Sequence, residues 1–227
     1  MKKEDVVELS HKIEKEREFF PLNVKLIDVT KLEPDVKHRK DVWYISSEVT
    51  FHTHVGTHIE APYHHLKDGV KVADLDIEHL IAECVVLDFS HKKHGEAITL
   101  DEIKKQDAKV KKGCMLFILT DTDKNYGTPT WQDSPYLTEE AMRWLIGKGI
   151  VCFGSDSASL EVPETDYQPN HTALFQNGVP MIESLMNLRS VMSGGYVVFL
   201  LPLPIAELDA SPMRVVAIKK DILRNSF

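Results

Sequence analysis

Three features of the sequence predict a mixed α/β fold. Short apolar runs rich in β-branched and aromatic residues recur along the chain, helix-like stretches lie between some of them, and no repeat or Gly/Ser linker divides them. The runs outnumber the helix-like stretches, which points to a sheet richer in strand than a doubly wound fold.

Strands are expected at 5–9, 24–29 (VKLIDV), 43–52 (WYISSEVTFH), 83–89 (ECVVLDF), 114–120 (CMLFILT), 150–153, 196–202 (YVVFLLP) and 214–218 (RVVAI). The first of these competes with a helical reading of 3–18, whose charges suit a helix as well as VVEL suits a strand. Helices are expected at 76–81, 99–106, 138–148 and 172–177. The third carries the fullest set of signals. Thr138 can cap it, Glu139 and Glu140 suit its positive end, Met142, Leu145 and Ile146 form one stripe, and Gly149 follows its end. Proline and glycine cluster in 121–135 and 154–170, which read as long loops of the kind that often carry function.

A chain of 227 residues supports one substantial core, so a single domain spanning 1–227 is expected. A formal net charge of −8 argues against nucleic acid or an anionic membrane surface as the main partner. There is no apolar run of about 18 residues to span a bilayer. The opening MKKEDVVELSHKIEKE has lysines without an apolar stretch behind them, unlike a secretory signal. Cys84, Cys114 and Cys152 sit in or beside apolar runs without CxxC spacing, as reduced core thiols do, and the expected compartment is the cytoplasm.

Histidine is the unusual residue. Five of the eleven (His52, His54, His58, His64 and His65) fall within FHTHVGTHIEAPYHHLKDG. Gly56 and Pro62 oppose a helix there, whereas Val55, Thr57 and Ile59 favour extended chain. In extended chain the even positions His54, His58, Glu60 and His64 share one face, and Val55, Thr57, Ile59 and Ala61 share the other. A straight strand would hold the α-carbons of His54 and His58 roughly 13 Å apart. Gly56 is where the chain can bend to shorten that span. Two histidines and a carboxylate form a donor set for zinc, manganese or iron. His52 shares the even parity but can point elsewhere, and His65 is off parity and reads as structural.

The run HVGTHIEAPYH resembles the His-x-Gly-Thr-His-x-Asp-x-Pro-x-His signature of the cyclase-like metal hydrolases, a family that includes bacterial kynurenine formamidases and isatin hydrolases. The likeness extends in order through Leu9-Ser10-His11, Trp43 to Pro62, YLTEEAMRWLIGKGI, GSDSASL, His171, IESLMNL and LPLPIAELDASPMRVV. It implies a mixed α/β domain with a central β-barrel-like sheet and surrounding helices. It also implies metal ligation by His54, His58 and Glu60, completed by His171 and Glu183, with Glu183 able to bridge two ions. His64 corresponds to the acid/base histidine, and Phe20 to an aromatic residue against the substrate. Members form homodimers or homotetramers, and a neighbouring subunit can contribute to the pocket. Three positions depart from the pattern: Glu60 replaces an Asp, Pro21-Leu22-Asn23 replaces Pro-Gly-Asp, and His65 replaces an aromatic residue.

The activity implied is hydrolysis of an amide, lactam or related acyl bond of a small molecule by metal-activated water. One or two divalent ions are expected, zinc first, with manganese or iron as the other candidates. His64 would exchange the proton that the departing nitrogen requires. Two other functions fit the same residues: a non-hydrolytic cyclase or dehydratase, and a family member that binds metal or ligand without turnover.

Overall fold

The computed structural model describes residues 5–225. In chain order the strands are β1 (Val6–Glu8), β2 (Leu22–Asp28), β3 (Ile45–Phe51), β4 (His58–Glu60), β5 (Ile81–Asp88), β6 (Ala97–Ile98), β7 (Met115–Leu119), β8 (Tyr136–Leu137), β9 (Cys152–Ser155), β10 (Met181–Glu183), β11 (Tyr196–Pro202) and β12 (Ala210–Lys219). The α-helices are α1 (Val29–Leu32), α2 (Leu100–Lys104), α3 (Glu139–Gly147), α4 (Pro169–Gln176) and α5 (Lys220–Asn225).

The sequence of β7, MLFIL, explains why it lies at the centre. All its residues are buried, and they alternate between two apolar clusters. Met115, Phe117 and Leu119 join a cluster with Ile59, Ile182 and Val215. Leu116 and Ile118 join another with Ile103 of α2, Met142 and Leu145 of α3, and Leu174 and Phe175 of α4. A strand apolar on both faces suits a parallel sheet that is covered on both sides.

Parallel pairing does run through β5, β7, β9 and β10. β4 then pairs antiparallel with β10 and with the start of β12, β12 pairs with β11, and β11 pairs with β5. That circuit closes a mixed barrel of seven strands. β12 is long enough to serve two neighbours on one edge: Ala210–Pro212 pairs with β4, and its later residues pair with β1. The central β-barrel-like sheet implied by the resemblance is therefore present, with helices against its outer face.

The expected helix at 138–148 is α3, capped by the Thr138 side chain, which accepts from the Ala141 N–H. The helix at 172–177 begins earlier, at Pro169, a residue suited to a first helical turn. The expected helix at 76–81 is only a 3₁₀ turn at Ile77–Leu80, because Ile81 onward is taken by pairing with β11. From residue 5 on, segment 3–18 contains strand β1 and then a 3₁₀ turn at Lys15–Arg17, while residues 3 and 4 lie outside the described residues. The short β6 and β8 and the helices α1 and α5 lay outside the sequence expectations, whereas β4 falls in the stretch expected to be extended. The regions 121–135 and 154–170 are mostly loop, as expected.

Among the described residues β2 and β3 pair only with each other, from Leu22↔Phe51 to Asp28↔Ile45, and form a separate two-stranded arm. Val24, Leu26 and Val49 are exposed on it, and so is Trp43 next to it, at 79%. Cys84, Cys114 and Cys152 are buried free thiols. Among the described residues no helix is long and apolar enough to cross a membrane.

Candidate metal centre

The strand β4 carries His58 and Glu60 on one face, with the buried Ile59 on the other. Extended chain covers only these three residues. Before them the chain turns at Gly56, whose φ of +61° is a left-handed conformation that glycine adopts without a β-carbon penalty. After them Pro62–His64 forms a 3₁₀ turn. The shared face expected for His54, His58, Glu60 and His64 therefore arises from two turns around a short strand, not from one long strand. The bend brings His54 Nδ1 to 3.2 Å from His58 Nε2. On the opposite side, Val55, Thr57, Ile59 and Ala61 are buried as expected.

The other donors arrive through the sheet and α4. Register places Glu183, the last residue of β10, directly opposite His58. His171 lies in the first turn of α4 and is buried. Its Nδ1 hydrogen-bonds Glu161 Oε2 at 2.7 Å, which turns Nε2 toward Glu60 and Glu183, 3.5 Å from an oxygen of each. Glu161 also accepts from the N–H groups of Asn170 and His171 and so fixes the start of the helix. His58 is oriented in the same way: its Nδ1 donates to Gly56 O at 2.9 Å, leaving Nε2 facing Glu60 and Glu183.

Glu60 is the hub. Its Oε1 lies 2.8 Å from His54 Nδ1 and 3.4 Å from His58 Nε2. Its Oε2 is buried without a hydrogen-bond partner. His171 Nε2, 3.5 Å away, is too distant for a hydrogen bond, and a buried carboxylate oxygen left so favours a cation beside it. Two donor sets meet there, His54–Glu60–His64 and His58–Glu60–Glu183, each with its ligand atoms within 4.8 Å of one another. These nitrogens and carboxylate oxygens suit a divalent metal ion, and both sets share Glu60.

The charges of the cluster agree. Burial works against a proton on His171, but its hydrogen bonds to Glu161 and Glu183 and the nearby carboxylates push it up to about 10. Burial likewise opposes a charge on His54, yet Glu60 and Asp209 push it up to about 9. Burial raises Glu60, and the surrounding histidines overcome that and hold it well below its ordinary range. Without an ion, protons on these imidazoles supply the positive charge that the carboxylates require.

His64 stands beside the cluster, its Nδ1 2.9 Å from Asp209 Oδ2. The same oxygen lies 3.0 Å from His54 Nε2, and Thr53 Oγ1 donates to Asp209 Oδ1 at 3.1 Å. Phe20 stacks on His52, with ring centres 4.2 Å apart, and lines the cavity. His52 offers no donor to either ligand set. His65 hydrogen-bonds Gln168 and Thr172 and stacks on His171 at 5.5 Å, a supporting contact that agrees with its structural reading. The cavity over the cluster has a volume of about 660 Å³, and Tyr126 and Trp131 form part of its wall.

Asp209 and Glu161 escaped the sequence reading. Asp209 lies inside LPLPIAELDASPMRVV, where an acid next to the buried Ala210 and Ser211 was the available signal. A separate acidic group, Asp121, Asp123 and Asp156, is already satisfied by protein. Lys124 and Arg189 pair with Asp121, and Asp156 accepts from Thr120 and from the Asp121 N–H.

Known proteins share this sequence pattern and fold. The "Putative cyclase" family model matches residues 7–162. The kynurenine formamidase of Bacillus cytotoxicus is 30% identical over 169 residues, 74% of this chain and 78% of that protein. The isatin hydrolase A of Labrenzia aggregata, solved with benzyl benzoate, shares the fold at a TM-score of 0.80 and 23% identity, over 95% of this chain and 93% of that one. A structure described as a "Potential Metal-Dependent Hydrolase With Cyclase Activity" matches at a TM-score of 0.73 and 26% identity, over 93% and 96% of the two chains. The chain belongs to the cyclase-like hydrolase family.

Proposed function

We propose that this protein is a metal-dependent hydrolase that cleaves an amide, lactam or related C–N acyl bond of a small molecule. The observation that carries the reading is Glu60, a buried carboxylate shared by two donor sets, whose Oε2 has no hydrogen-bond partner and lies 3.5 Å from His171 Nε2. The names of the relatives, a formamidase and an isatin hydrolase, support cleavage of a non-peptide C–N bond.

His54, His58, Glu60, His171 and Glu183 are the proposed ligands, and Glu60 and Glu183 offset the cationic charge. When bound, a divalent ion supplies Lewis acidity, polarising a carbonyl and lowering the pKa of water toward about 7. Zinc is the proposed ion, with manganese or iron as the other candidates, and one or two ions would be held. His64 is the proposed acid/base. Asp209 accepts its Nδ1–H, which leaves Nε2 to take a proton and return it to the departing nitrogen. Asp209 thus fixes the tautomer and stabilises the charged imidazole. Phe20, Tyr126 and Trp131 give the cavity aromatic walls suited to a flat substrate.

We read residues 1–227 as one domain and the cytoplasm, where the three thiols would stay reduced, as its compartment. The protein would assemble as a homodimer or homotetramer, with the arm of β2 and β3 and Trp43 against a second copy.

The test is metal analysis of the purified protein, then a screen of amides, lactams and lactones with that metal in ¹⁸O-labelled water. Label in the product supports hydrolysis. Turnover without label would favour ring closure or dehydration, and bound metal without turnover would favour a binding protein.

A further inference from the structure

We infer that Glu18 is a positioning residue whose carboxylate latches the segment 14–20 onto the cavity and holds the turn that aims His58. The inference rests on the metal-hydrolase reading above. Two hydrogen bonds define the latch. Glu18 Oε2 accepts from the Gly56 N–H at 2.8 Å, and Glu18 Oε1 accepts from the Tyr126 hydroxyl. Residues 18, 56 and 126, far apart in sequence, are joined by one carboxylate.

Gly56 is the sensitive point of the three. Its N–H is held by Glu18, and its C=O accepts from His58 Nδ1 at 2.9 Å. The peptide groups on either side of one α-carbon are thus tied, one to the latch and one to a proposed ligand. Gly56 is buried at the cavity wall, so removing Glu18 leaves its N–H without a protein acceptor there. Rotation there would release the Nδ1–H bond that keeps His58 Nε2 facing Glu60 and Glu183.

The rest of the segment binds the cavity wall. Arg17 Nη2 donates to Tyr126 O at 2.6 Å, and the Arg17 stem packs so close to Gly127 that a β-carbon there would lie 2.8 Å from Arg17 Cβ. His11 stacks on the Tyr126 ring with centres 3.9 Å apart. Phe20, two residues beyond Glu18, rests on His52. One carboxylate therefore links the aromatic wall to the ligand turn, and both Glu18 partners are neutral donors that no surface salt bridge would replace.

The experiment compares zinc binding by calorimetry in the wild type, Glu18→Ala and Glu18→Gln, with circular dichroism and Tm recorded for each. Glu18→Ala is expected to bind zinc about 10–100-fold more weakly, the usual effect of removing a group that orients a ligand. Glu18→Gln keeps an oxygen that accepts from Gly56 and is expected to recover most of the affinity. Folded Glu18→Ala that binds zinc as tightly as the wild type overturns the latch. Equal weakness of the two variants also overturns it, because charge alone would then be responsible. If Glu18→Ala does not fold, Glu18→Asp, one methylene too short to keep both donors, carries the same expectation, and unchanged affinity overturns the latch. A wild type that binds no zinc, manganese or iron removes the metal-hydrolase reading itself, a result distinct from the other outcomes.

Discussion

Glu183 stands directly across the antiparallel β10–β4 ladder from His58, with Oε2 3.6 Å from His58 Nε2. Two proposed ligands separated by most of the chain are thus held by backbone hydrogen bonds rather than by flexible loops. Replacing His58 with Ala should lower metal occupancy, measured by elemental analysis, while the barrel stays folded. Full occupancy in that variant removes His58 from the ligand set.

His64 contacts Asp209 and also belongs to one of the two donor sets, so metal content separates its two possible roles. His64→Ala is expected to keep its metal and to lose about 10²–10⁴-fold in kcat, as for the loss of a general acid/base. Loss of metal together with activity would make His64 a ligand instead.

Asp209 accepts from both His54 and His64, and burial is outweighed by those bonds, which hold its carboxyl down at about 2. Asp209→Asn preserves the shape and removes the charge. Activity is expected to fall about 10–100-fold, the range for residues that orient a catalytic or ligating histidine. Kinetics indistinguishable from the wild type would leave Asp209 without a role in orienting His64.

Gly56→Ala tests the bend. A β-carbon there would lie 2.6 Å from Ile13 Cγ1, on a backbone with φ of +61°. Backbone strain of this kind costs about 1–3 kcal/mol. Urea unfolding of the metal-free variant should show a loss of that size and weaker zinc binding. Equal stability would mean that the turn tolerates a side chain.

The cluster also sets a pH dependence. In the folded, metal-free protein His54 is pushed up to about 9 and His171 to about 10, against 6.5 for an unperturbed imidazole. Groups whose pKa is raised by folding stabilise the native state fully below the unfolded value, and lose that contribution as pH climbs through the folded value. The Tm of metal-free protein should therefore fall between pH 6.5 and about 10, while zinc affinity rises as the competing protons leave. A Tm that is flat or rising across that window contradicts the charge balance described for the site.

Much of this was written locally in the sequence. Long strands such as β7 and β11 and the capped helix α3 showed in apolar runs, periodicity and end signals, and HVGTHIE displayed its donors beside the glycine that bends them. What stayed hidden depended on register. Glu183 was named through the resemblance, but its place opposite His58 follows only when β10 pairs with β4, a register that three-residue strands carry too little period to show. Asp209 meets His54 and His64 because β12 closes the barrel against β4. Glu161 sits in a loop whose position is set by α4.

The most direct test of the account is anomalous diffraction at the zinc edge from crystals grown with zinc. The expected result is density within about 2.0–2.3 Å of ligand atoms of His58, Glu60 and Glu183, with a second peak toward His54 and Glu60 if two ions bind. An absence of anomalous density among these residues at saturating zinc would contradict it.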